Sequence, residues 1–205
     1  MDQRIATAGA GRIVGRAGCG GPYNLTSLAG RLSELSGIGP AAQLSLAFTL
    51  VGEAHKLGEP AAWVTDRKAT FFPPDVVEGG VDLARLPVVF VPDAAAGARA
   101  AERLVRSGGF GLVVLDLVGA RAEIPAALQS RLVGLAQKHD AALVVLTEKA
   151  ADAGSLGSLF ALRCEARREP AGEGRFLCLA RALKDKRGGP GWTYTEVRRG
   201  PLGLR

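Results

Sequence analysis

The sequence predicts an α/β protein: a mostly parallel central sheet flanked by helices, with an antiparallel extension at the C-terminus. Three observations carry that reading. Short runs rich in Val and Leu alternate with helix-like stretches through the middle of the chain. Those runs are apolar on both faces, the pattern of buried parallel strands rather than of half-exposed hairpins. The last quarter then holds three strand-like segments joined by turns, with no helix between them.

In chain order, the first thirty residues open with Ala8-Gly-Ala-Gly-Arg12 and continue through Gly15, Gly18, Gly20, Gly21 and Pro22. So much glycine loses too much entropy on ordering to hold a packed element, which predicts a loosely held arm over residues 1–30. The arm is not read as a phosphate loop, since no strand precedes its glycines and no lysine follows them. Strands are expected over 31–36, 61–65, 87–92, 112–117 and 142–147, and helices over 43–57, 95–107 and 125–138. In the last helix Leu128, Leu132 and Leu135 share one side, with Gln129, Arg131 and Lys138 on the other. Pro125 suits its first turn. Strand–helix–strand alternation at this spacing implies a parallel sheet. Strands over 159–167, 176–183 and 192–198 follow, joined by Glu169-Pro-Ala-Gly-Glu-Gly174 and Gly188-Gly-Pro-Gly191. The expected organisation is an arm over 1–30, a core over 31–174, and basic C-terminal strands and tail over 175–205 in the same domain.

A chain of 205 residues with 47% apolar and 22% charged residues is an ordinary globular chain of one domain. It can bury roughly two-thirds of its unfolded surface, so it needs no disulfide or metal staple. Cys19, Cys164 and Cys178 lack the close spacing of a zinc or redox motif, and His55 and His139 lie far apart. A metal site and a disulfide framework are therefore not expected, and a reducing compartment suits the chain. No apolar run approaches the roughly 20 residues of a membrane span, and no apolar signal core follows Met1, so a cytoplasmic protein is expected.

The net charge of +6 is unevenly placed. Residues 1–159 hold 15 basic and 15 acidic side chains, and residues 160–205 hold 11 basic against 5 acidic. The whole excess lies in the last quarter. That asymmetry suits an acidic partner, whether nucleic acid or protein, and equally a solvated tail.

The segment Glu34-Leu-Ser-Gly-Ile-Gly-Pro-Ala-Ala-Gln-Leu-Ser45 joins a strand to a helix where a phosphate-binding loop would stand. Such a loop needs Gly, four residues, Gly, Lys, then Ser or Thr: glycines for close backbone approach, lysine for the phosphates, a hydroxyl for magnesium. Here the register runs Gly37, four residues, Ala42, Gln43, Leu44. Gln43 is neutral and Leu44 has no oxygen. Leu112-Val-Val-Leu-Asp116 is an apolar strand ending in a carboxylate, the form of a magnesium-supporting aspartate, although many buried strands end so. Asp66 and Arg67 stand where a water-polarising carboxylate would be.

These segments resemble the RecA family of recombinases in order and spacing, across about residues 31–204. Arg31-Leu-Ser-Glu-Leu-Ser-Gly37 is similar to the strand entering the phosphate loop, and Arg106-Ser-Gly-Gly-Phe-Gly-Leu-Val-Val-Leu-Asp116 to the magnesium-aspartate strand. Leu143-Val-Val-Leu-Thr-Glu148 resembles the strand that ends in a nucleotide-sensing glutamine. Arg163-Cys-Glu-Ala-Arg-Arg168 and Arg181-Ala-Leu-Lys-Asp-Lys-Arg-Gly-Gly-Pro190 resemble two late segments. The second includes a Lys-x-Lys that in RecA reaches a neighbour's nucleotide. The resemblance implies a RecA-like core in which Gln43, Leu44, Arg67 and Glu148 replace the catalytic and sensing residues. It also leaves both DNA loops short, after Leu117 and after Glu148, and the polymerising helix missing. Neither catalysis nor a cofactor is then expected, and Asp116 is vestigial.

A short RecA-like chain with such a loop and Lys184-Asp-Lys-Arg-Gly-Gly-Pro-Gly191 near its end resembles the ImuA family, which is related to the division inhibitor SulA. ImuA-type proteins are accessory factors of mutagenic translesion synthesis. The resemblance implies work alongside RecA, the polymerase-like ImuB and an error-prone replicative polymerase, with partner contacts through Lys184, Lys186, Arg187, Trp192, Arg198, Arg199 and Leu202. Three other readings stand beside this adaptor: a single-stranded-DNA module using the basic C-terminal quarter, with Phe176, Trp192 and Tyr194 as its aromatics and the last two able to stack on bases, a weak ATPase with unusual ligands, and a SulA-type division inhibitor. Sheet packing is the plainer reading of Trp192 and Tyr194, as burial is of Cys164 and Cys178. His55, beside Lys56 at a helix end, suits the helix dipole. Ser130 lacks the His–Asp context of a nucleophile.

Overall fold

A computed structural model describes residues 22–66, 80–172 and 174–199. Among the described residues eight strands form one sheet: β1 Leu32–Gly37, β2 Ala61–Asp66, β3 Val88–Val91, β4 Leu112–Asp116, β5 Ala142–Glu148, β6 Leu162–Pro170, β7 Arg175–Asp185 and β8 Thr193–Arg199. Their order is β3-β2-β4-β5-β1-β6-β7-β8. The first six in that order run parallel; β7 is antiparallel to β6, and β8 to β7. The mixed α/β reading, the mostly parallel sheet and the C-terminal antiparallel extension are therefore as expected.

The central strands are interior for the reason their composition gives. Apart from Asp66, every residue of β1, β2 and β4 is buried, and every residue of β5 except Glu148. One face is covered by α2 (Gln43–Lys56), through Leu46, Leu50, Val51 and Ala54. The other is covered by α3 (Ala94–Arg106) and α4 (Ala126–His139), through Ala98, Ala101, Val105, Leu128 and Leu132. Asp93 caps α3, its Oδ1 accepting the Ala96 N–H at 2.7 Å. Gly97 lets α3 lie close to the sheet, since a β-carbon there would stand 2.9 Å from Leu115 Cδ1. Pro125 is the N-cap of α4 rather than a residue of its first turn, and Asp140 closes that helix in the left-handed region at φ 52°.

Two further expectations are corrected. The arm expected over 1–30 gives way by Tyr23, which is buried along with Leu25 and Leu28. Asn24 caps a single turn, α1 (Leu25–Leu28), its Oδ1 accepting the Ser27 N–H at 2.8 Å. The remainder of the expected arm lies outside the described residues. Gln129, expected on the outer side of α4, is buried. Its amide donates to Ile124 O at 2.7 Å and to Leu156 O at 3.3 Å, so it ties α4 to the chain that follows β5.

Candidate functional site

At the carboxyl end of β1 the chain turns through residues 38–42 into α2. Gly39 takes φ +62°, and Gly37 sits where a β-carbon would come 2.6 Å from Ala41 Cβ and 2.8 Å from Ala166 O. The loop is folded tightly against β6. Gln43, at the lysine's register, is buried and turns inward: its Nε2 donates to Gly37 O at 3.2 Å and to Thr147 O at 3.4 Å. The amide thus bridges the ends of β1 and β5 instead of reaching outward. Ala42 offers no side-chain cap, while Leu44 and Ile38 are exposed, Ile38 to 62%. A cleft of about 400 Å³ opens beside this loop, lined by Ile38, Ala150, Ala166 and Arg168 among others.

Asp116 ends β4 and is buried. Burial pushes its carboxyl up, against hydrogen bonds from the Val118 N–H at 3.1 Å and Thr65 Oγ1 at 3.3 Å that pull it down. Both its oxygens are engaged by the protein. Glu148 is exposed and pairs in register with Gly37. Asp66 closes β2, and Arg67 lies outside the described residues.

A charged cluster that sequence reasoning missed lies beneath the chain after β5. Glu34, on the inner strand β1, is fully buried. It accepts from Lys149 Nζ at 2.8 Å, Thr147 Oγ1 at 3.0 Å and the Leu156 N–H at 2.9 Å. Arg163 Nε is 4.0 Å away, and that guanidinium also donates to Ala150 O at 2.6 Å and to Ala153 O. A buried carboxylate with this many donors is compensated, and removing one partner would leave an unpaired charge. Residues 149–158 are fastened down by it. The visible signal was an acidic residue, Glu34, between Leu32 and Leu35 in a strand every residue of which is buried.

The basic C-terminal residues separate into three groups. Lys184 and Lys186 both donate to Ser158 O, at 3.4 and 2.7 Å, and Lys184 also to Gly157 O at 3.4 Å. Lys184 is half-buried rather than exposed, and burial together with the Lys186 charge lowers its ammonium pKa. Arg187 reaches Ala29 O at 3.3 Å. Between them Asp185 is the hub: it pairs with buried Arg31 and accepts from Trp192 Nε1 at 3.0 Å and the Arg187 N–H at 2.9 Å. Burial raises its carboxyl, but the hydrogen bonds of Arg187, Trp192, Arg31 and Gly188 outweigh that and hold it at about 2.

The second group faces α2. Trp192 packs on the core, Tyr194 lies 5.2 Å from Tyr23 between ring centres, and Arg198 bonds Glu196 and Thr49 of α2. The Trp192 and Tyr194 rings both pack against the core and remain half-buried. Arg199, in the third group, is exposed on the opposite side of β8, and Leu202 lies outside the described residues.

The Lys184 turn and the loop at Gly37 are not brought together. Leu162 pairs with both Asp185 and Ser33, so the turn stands at the amino end of β1 and the loop at its carboxyl end. At roughly 3.3 Å per residue the two stations are about 13 Å apart along the strand. Cys164 and Cys178 are buried; burial raises both thiols, with Asp185 adding to push Cys164 to about 12. No helix of the described residues is long and apolar enough to cross a membrane. In comparisons with known proteins, the chain matches no family model and no curated protein.

Proposed function

We propose that this chain is a RecA-like, ImuA-type accessory protein of the bacterial DNA-damage response. It hydrolyses no nucleotide, keeps the recombinase's shape in order to engage RecA, and links it to a translesion polymerase complex. One observation carries the reading: Gln43 stands at the loop's lysine position and spends its amide on the Gly37 and Thr147 carbonyls. Phosphoryl transfer depends on preorganised positive charge and a metal at the phosphates. A loop whose polar side chain points back into the sheet supplies neither. The strand–loop–helix and the aspartate-ended β4 support descent from a nucleotide-binding loop, and the loss of its chemistry supports a scaffold's role.

The test uses the whole chain, because β7 pairs along most of β6 and a truncation at Gly174 would strip the sheet. RecA filaments on single-stranded DNA are sedimented with the purified protein, and ATP turnover is followed in parallel without RecA. The expected result is co-sedimentation with RecA and no turnover above background. ATP turnover that disappears in Asp116→Asn, or absence from the RecA pellet at every salt concentration, would overturn the reading.

A further inference from the structure

The sheet carries a face that nothing among the described residues covers. On the α2 side, β6 to β8 turn in Cys164, Ala166, Cys178, Ala180 and Tyr194, which join the core. The alternate residues point the other way. Read across the strands by register, that outward face holds the rows Glu165-Arg181-Thr193, Arg167-Leu179-Thr195, Glu169-Leu177-Val197 and Arg175-Arg199. Helices α3 and α4 lie over β1 to β5 on this side, and residues 149–158 cover only the start of β6. Val197 is 58% exposed, and Leu177 and Leu179 are half-buried and belong to neither core cluster.

Its charge is what sets the occupant. The face carries four arginines against two glutamates. Arg167 and Arg181 already share Glu165, at 3.0 and 2.9 Å. Arg175 and Arg199 stand directly opposite one another, both exposed, and among the described residues neither has an ion-pair partner. Like charges placed opposite across a strand pair repel, a cost that an incoming carboxylate would turn into attraction. The centre of the patch is aliphatic, with no ring to stack on a base, which suits a protein rather than a nucleic acid. A second copy would bring the same positive charge and be repelled.

We infer that the outward face of β6–β8 is a docking surface for an acidic, partly apolar protein segment, with apolar side chains seated on Leu177, Leu179 and Val197 and carboxylates on Arg175 and Arg199. The inference rests on the adaptor reading only in taking the occupant to be a protein. It moves the contact away from the Lys184 turn, whose cations are engaged with backbone carbonyls.

Two synthetic peptides serve as probes, one alternating glutamate with leucine or valine and one alternating glutamate with serine. Binding is followed by methyl NMR on the full chain. The first peptide is expected to shift the Leu177, Leu179 and Val197 methyls and to bind at least tenfold more tightly than the second. Arg175→Glu with Arg199→Glu should weaken it by at least tenfold, and Val197→Asp by a similar factor, with melting temperatures unchanged because all three side chains are exposed. Equal binding of the two peptides, methyl shifts confined to other surfaces, or a thymidine oligonucleotide taking the same face more tightly would each overturn the inference. Sedimentation with RecA separates the two proposals. If RecA co-sediments with the parent and the acidic apolar peptide does not bind the β6–β8 face, the face is wrong while the adaptor reading stands. If the peptide binds and RecA does not, the reverse holds.

Discussion

Replacing Asp185 with alanine removes in one step the acceptor of four donors: the Arg31 guanidinium, Trp192 Nε1 and the N–H groups of Arg187 and Gly188. Both side chains of the Arg31 pair are only 4% exposed, so solvent screening does little to soften the loss. The carboxyl is held at about 2 against an ordinary 3.8, a difference of roughly 2 kcal/mol between protonation states. An arginine left buried without its partner adds a penalty, and breaking such pairs costs about 3–5 kcal/mol. Against a total stability of about 5–15 kcal/mol for a domain, that is a large share. Because the folded value is depressed, the contribution is fully present above the unfolded value near 3.8 and is lost as pH falls through about 2. Urea unfolding at pH 7, followed by tryptophan fluorescence, should show the alanine variant less stable by about 3 kcal/mol or more. Between pH 4 and 2 the gap between parent and variant should narrow. Arg31→Met in the Asp185→Ala background should recover part of the loss, because it removes the orphaned charge. A cost below about 1 kcal/mol at pH 7, or a gap independent of pH in that window, would refute the assignment of Asp185 as the hub.

Gln43→Ala leaves the Gly37 and Thr147 carbonyls without their shared donor and should cost about 1–2 kcal/mol in urea unfolding, with no nucleotide binding gained. Gly37→Ala places a methyl 2.8 Å from the backbone oxygen of Ala166, and overpacking of this kind should lower stability by about 1–3 kcal/mol in thermal melts. With Cys164 pushed to about 12 and Cys178 raised and buried, neither should be alkylated at pH 8 in the folded chain. Both should react in urea, as peptide mass spectrometry would record. Lys184→Ala with Lys186→Ala frees the Gly157 and Ser158 carbonyls, so limited proteolysis should quicken within residues 149–161 while global stability changes by about 1 kcal/mol.

The parallel strands were legible because a strand covered on both faces has no polar side to show, and β2, β4 and β5 read as unbroken apolar runs for that reason. The strand–loop–helix around Gly37 was legible from its glycines and from the change of pattern after them. What Gln43 does there was not legible. Its partner Thr147 lies 104 residues along the chain, and only the β1–β5 pairing brings the two together. Glu34 and Arg163 were hidden in the same way, since the chain that compensates them is irregular and lies after β5. In the basic turn, Lys184 and Lys186 read as charge offered to a partner, because the carbonyls of residues 157 and 158 that accept from them lie 26 to 28 residues earlier in the chain. The turn α1 was lost in its glycine-rich surroundings, although Asn24 ahead of Leu25 and Leu28 carried the cap and the spacing.

The excess positive charge of the last quarter therefore does two kinds of work, and burial separates them. Arg163, Lys184 and Arg187 reach carbonyls or a buried carboxylate and fasten loops and turns to the sheet, so their charge is largely spent inside the molecule. Arg175 and Arg199 spend theirs on nothing described, at the far end of β7 from Asp185. A strand pair with unrelieved repulsion at one end is tolerated when the other end is anchored, and the Arg31–Asp185 pair and Trp192 supply that anchor. The rigidity of the turn and the receptivity of the open face are thus linked through one hairpin.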